Sequence, residues 1–84
     1  MPGTLSRSDA EFAVRTALRG FASDADLADL PDNEPLRSAL DLDSLDFLTF
    51  IERLTRATEM RIDEVDYPKL ATIGACVDFV TATS

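Results

Sequence analysis

A single apolar stripe in the middle of the chain limits the fold more than any other feature. Stepped at about 100° per residue, Phe47, Phe50, Ile51, Leu54 and Ala57 fall on one broad face, flanked by Leu48. Asp46, Thr49, Glu52, Arg53 and Arg56 take the opposite face, with Leu45 in their midst. A helix over residues 43–58 that is apolar on one side cannot stand alone; other elements must cover it. Two weaker stripes supply them. Ala10, Val14, Ala17, Leu18 and Phe21 share a face of a helix expected over residues 8–19, opened by Ser8 or Asp9 and stopped near Gly20. Phe12 falls off that stripe. Ile73, Cys76, Val77 and Val80 share a face of a last helix over residues 72–81, with Thr72 as its cap.

The segments between these helices differ in character. Residues 22–42 are rich in Asp and carry Pro31 and Pro35, which argues against one continuous helix there. Leu27, Leu30, Leu36 and Leu40 are expected to pin this long connection to the core, with short helical turns allowed within it. Residues 61–70 read as mixed, with a helical turn near 63–67. No segment alternates apolar and polar residues as a half-buried strand would. The expected fold is all-α: one domain over residues 1–84, a small bundle of three main helices and a short fourth, with a long loop after the first and residues 1–7 flexible.

Composition narrows the function classes. Eight basic residues against sixteen acidic give a net charge of -8, which disfavours nucleic acid and anionic membrane surfaces. Partner proteins with basic patches suit such a surface better. One cysteine and no histidine leave no internal disulfide and no transition-metal cluster. Cys76 on an apolar face reads as a small buried hydrophobe. No apolar run is long enough for a membrane span or a secretory signal, so a monomer in the cytoplasm is expected.

The most informative stretch is LDLDSLDF, residues 40–47. Asp43 can cap the central helix, with Asp46 as the reciprocal member of a capping box, which puts Ser44 at the first helical position. Its hydroxyl should project from the helix start. The plain reading is a helix start in a helical protein-interaction module. A calcium loop is a second reading, since Asp41, Asp43 and Glu52 match positions 1, 3 and 12 of an EF-hand. It fails at Leu45 and at Asp46, where the sharp turn calls for Gly, and it would break the best helix in the chain.

The third reading is a resemblance. Asp43-Ser44-Leu45-Asp46 opening an amphipathic helix after a long first loop resembles the acyl carrier protein family. The likeness extends over nearly the whole chain and is most specific over residues 36–51. It implies that Ser44 carries a covalent 4'-phosphopantetheine arm from coenzyme A, with Asp43 as the acidic residue before it. It also implies a carrier rather than an enzyme, holding acyl groups as thioesters for lipid or secondary-metabolite synthesis. Leu45 matches the exposed apolar residue that partner enzymes contact, and Asp46, Thr49, Glu52 and Arg53 lie on the same recognition face. The implied partners are a phosphopantetheinyl transferase and the ligases, acyltransferases or synthases that load and use the cargo. An acyl chain folding back between the helices would meet Phe50, Ile51, Leu54 and Ile73, which are core residues first.

The residues themselves agree with a modified serine. A helix start favours an attached phosphodiester. No histidine or other general base stands near Ser44 in sequence to make it a self-activated nucleophile. Two departures from the common fatty-acid type point to a specialised, free-standing carrier. Asp41 stands where that type has Gly, and Thr49 stands where it has Glu, with Arg53 and Arg56 further diluting the acidic face. The absence of a Gly-Gly pattern before Ser44 favours acyl over aminoacyl or peptidyl cargo.

Overall fold

The computed structural model describes residues 6–82. Its helices are α1 (Arg7–Ala17), α2 (Asp24–Asp29), α3 (Leu36–Ala39), α4 (Ser44–Thr58), a 3₁₀ segment (Glu64–Leu70) and α5 (Ile73–Ala82). Among the described residues there is no strand, only one isolated bridge between Arg19 and Ala22. The all-α class is therefore as expected, and the long first connection contains two short helices.

α1 packs against both α4 and α5, and α5 also covers the 3₁₀ segment. The three apolar stripes meet in one core. Ala10, Val14 and Ala17 come from α1, Phe50, Ile51 and Leu54 from α4, and Ile73, Cys76, Val77 and Val80 from α5. Leu27 and Leu36 are buried and Leu30 and Leu40 half-buried, so all four leucines of the connection pack on the core.

Two expectations need correction. The first helix starts and stops earlier than its stripe suggests. Ser6, not Ser8 or Asp9, is the cap, its hydroxyl accepting from the Asp9 amide at 3.0 Å. The helix ends at Ala17, and Gly20 follows with φ +98°, a conformation that favours glycine. Of the first seven residues, 1–5 lie outside the described region, Ser6 is that cap, and Arg7 pairs with Asp78 at 3.0 Å. Ala57, placed in the core by its stripe, is exposed. Burial along that stripe runs through Phe47, Phe50, Ile51 and Leu54 and stops short of position 57.

The connection from α1 to α4 is held by guanidinium groups. Arg15 on α1 donates to the carbonyls of Leu27 and Leu30 and pairs with Asp32 at 3.2 Å and Glu11 at 3.0 Å. Arg53 on α4 donates to the Arg19 carbonyl at 2.7 Å and lies 5.0 Å from the centre of the Phe21 ring. At the far end, the Asp32 carbonyl accepts from the Gly74 amide at 2.9 Å. A Cβ at position 74 would stand 3.2 Å from that carbonyl oxygen, so the close approach there favours glycine.

Candidate functional site

The start of α4 is built from local bonds. Asp43 is extended and its carboxylate accepts from the Asp46 amide at 2.8 Å, while the Asp46 carboxylate accepts from the Asp43 amide at 3.3 Å. This reciprocal capping box closes orphan amides of the first turn and fixes where the helix begins. Ser44 is the first residue inside it. The serine is exposed, and its hydroxyl is uncommitted among the described residues. The chain reaches this point through Asp41, a non-glycine residue at φ +55°, and buried Leu42, whose amide bonds the Arg37 carbonyl at 3.0 Å.

The structure separates the other residues singled out from sequence into two groups. Leu45 is 73% exposed beside Ser44, and Glu52 is exposed one helical face along. Asp46 and Thr49 are half-buried, and the Thr49 hydroxyl donates to the Leu45 carbonyl at 3.0 Å. Arg53 borders this surface, but its guanidinium is engaged with the end of α1. Phe50, Leu54 and Ile73 have no exposed surface and Ile51 almost none, so they sit in the closed core. Ile51 also edges a surface groove, of about 370 Å³, with Leu48, Ile62 and Tyr67.

α4 runs unbroken from Ser44 through Glu52, which removes the EF-hand reading. Among the described residues no cluster of ligating side chains could hold a metal ion, and no helix is long and apolar enough to cross a membrane. Cys76 is buried, and that burial lifts its thiol pKa to about 12, so it stays protonated and inert at neutral pH.

Two features of the surface escaped the reading of the sequence. Leu48 and Val65 are exposed apolar residues besides Leu45. The second feature is Arg37, whose guanidinium carbon lies 5.8 Å from the centre of the Phe47 ring, one helical turn from Ser44. A signal for it existed: Arg37 is the only basic residue between Arg19 and Arg53.

The fit to a covalent phosphodiester can be judged from this geometry. It needs an exposed hydroxyl with no internal partner, at the positive end of a helix long enough to have one. Ser44 on the 15-residue α4 meets each condition. No curated protein and no solved structure gives a significant match to the chain. A family model does match, described as the phosphopantetheine attachment site, over residues 13–80. That span runs from the last turns of α1 into α5 and takes in the whole of the elements between, and it assigns a carrier role rather than a catalytic one. The chain belongs to the phosphopantetheine attachment site family of carrier domains.

Proposed function

We propose that this protein is an acyl carrier whose 4'-phosphopantetheine arm is joined through a phosphodiester to the Ser44 hydroxyl. The observation that carries the reading is the position of Ser44: exposed, uncommitted and first in the helix, inside a closed capping box. When bound, the arm supplies a thiol that holds the cargo as a thioester.

The chain's own residues present the serine; they do not activate it. Asp43 and Asp46 are engaged with each other's amides, and no histidine is available as a base. Asp41, Asp43 and Asp46 oppose the phosphates of coenzyme A, so a transferase must bring the cations, with Mg²⁺ as a fitting one. Ser44 Oγ then bonds to the phosphorus nearest the pantetheine, the nucleotide leaves with the other phosphate, and a transferase base takes the serine proton. Leu45, with Asp46, Thr49 and Glu52 along the same face, offers a small apolar contact flanked by two carboxylates for enzymes with basic patches. Ligases, acyltransferases or synthases of lipid or secondary-metabolite pathways have the chemistry to load and use such a carrier.

Intact mass after incubation with coenzyme A, Mg²⁺ and a broad-specificity transferase tests the reading. The wild type should gain one phosphopantetheine and Ser44→Ala none. An unmodified but folded wild type, beside a control carrier that is modified, would refute it.

A further inference from the structure

Ion pairing among the basic residues is uneven. Arg7, Arg15, Arg19, Arg61 and Lys69 each pair with a carboxylate, and Arg53 serves the carbonyls at the end of α1. Among the described residues, Arg37, Arg53 and Arg56 make no ion pair, and of these Arg37 and Arg56 have no carbonyl partner either. In a chain with twice as many acids as bases, a guanidinium with neither a carboxylate nor a carbonyl partner stands out.

Arg37 stands at the rim of a groove of about 330 Å³ formed with Pro35, Phe47, Tyr67, Pro68 and Ala71. Apart from Arg37, the lining is apolar and aromatic. Tyr67 meets Phe47 edge-on at 5.7 Å, and the Arg37 guanidinium lies over the Phe47 ring. Phe47 follows Ser44 by three residues on α4, a spacing that brings side chains within roughly 5–6 Å at their Cβ atoms. The groove is therefore within easy reach of anything tethered to Ser44. Arg56 also borders a groove, but Glu52 lies in the same lining and offsets it.

On the reading that Ser44 bears the arm, we infer that the Arg37 groove receives a short acyl cargo ending in a carboxylate. Size comes from the core: Phe50, Leu54 and Ile73 are fully buried, so a long chain has no interior space without displacing them. The groove's volume lies at the small end for ligand sites. Charge comes from the surroundings. Asp41, Asp43 and Asp46 repel an anionic cargo from the rest of the surface near Ser44, and Arg37 is the unpaired cation that can accept it. With one face of its guanidinium against Phe47, Arg37 still has N–H edges that match a carboxylate in a two-bond fork. A phosphodiester on Ser44 is an anion too, so the test must separate the two sources.

The holo protein, its arm first established by mass, is compared with the same protein loaded with glutaryl or with valeryl, a neutral group of equal chain length. The Arg37 Nε–H signal and the ring signals of Phe47 and Tyr67 should move on glutaryl loading and stay in place on valeryl loading. Arg37→Gln should abolish the glutaryl shift, Arg37→Lys should keep part of it, and Arg56→Gln should leave it intact. Amide spectra of the apo variants report whether each is folded. Equal shifts with both cargoes, or no shift with either, would overturn the inference. An Arg37 shift already complete in the unloaded holo protein would also overturn it, and would make the arm's phosphodiester the partner of Arg37. A protein that takes no arm would fail at the mass measurement, and with it the carrier reading itself.

Discussion

α4 and the connection that leads into it are held in place by a different balance of forces, although they meet at Ser44. α4 is anchored by area: Phe50, Ile51 and Leu54 lie in the core and are contacted from several sides. The connection buries less, through Leu27, Leu36 and Leu42, and is anchored besides at points: Arg15 to two carbonyls and Asp32, Arg53 to the Arg19 carbonyl, and the Asp32 carbonyl to Gly74. Burial is non-directional and survives small movements. A hydrogen bond to a carbonyl is directional, and losing its donor strands a partly buried acceptor. Ser44 thus has a stiff helix on one side and a separable strap on the other.

The largest break should come from the stiff side. Phe50→Ala removes the largest fully buried side chain, and such truncations cost about 3–5 kcal/mol. For a domain whose whole stability is of order 5–15 kcal/mol, much of the folded population is at stake. Denaturant unfolding should show the midpoint falling sharply and α4 and α5 losing structure together, because both pack on the same core. A loss confined to α4 would contradict the single core.

Cutting the strap should have a smaller and more local effect. Arg15→Met keeps most of the apolar stem and removes the guanidinium. Hydrogen bonds to charged groups contribute about 1.5–3 kcal/mol, and part of that is recovered as water reaches the Leu27 and Leu30 carbonyls. Amide exchange should speed up over residues 24–42 while the α4 interior keeps its protection, since local opening need not involve the whole domain. Equal acceleration in both regions would mean that strap and helix form one cooperative unit, and the contrast between them would collapse.

The same contrast explains what could be read in advance. α4 and α5 were legible because apolar spacing is a local signal, repeated every turn, and the burial it implies does not depend on which element supplies the cover. The capping box at Asp43 and Asp46 was legible because its partners are three residues apart. The bonds of Arg15 and Arg53 to carbonyls span 12 to 36 residues, and every residue has a carbonyl, so nothing in the sequence marks them. Arg53 accordingly read as a partner contact, because its helical face points outward while its long side chain reaches back to α1. Ala57 shows the limit of periodicity itself: the stripe gives the face but not how far along it the burial runs. At the site, Ser44 and Leu45 were visible in the motif. The Arg37 groove was not, since it joins residues from α3, α4 and the 3₁₀ segment.

The smallest effect, and the one of opposite sign, concerns the joint between strap and helix. Asp41 holds φ +55°, where an L residue generally costs roughly 1–2 kcal/mol, less for Asp because its short side chain tolerates the region. Glycine adopts that φ freely, which gives a physical reason for the Gly at this place in the common fatty-acid type. Asp41→Gly removes the strain and one carboxylate from the cluster around Ser44, while the unfolded chain gains entropy that offsets part of the benefit. The net expectation is about 0.5 kcal/mol of added stability, read as a small rise in the denaturation midpoint. Asp41→Asn separates strain from charge, because it removes the carboxylate and keeps a side chain that tolerates the left-handed region. Glycine should stabilise more than asparagine if backbone strain dominates. If the two variants gain equally, repulsion among Asp41, Asp43 and Asp46 outweighs the strain, and the joint is held under charge rather than torsion.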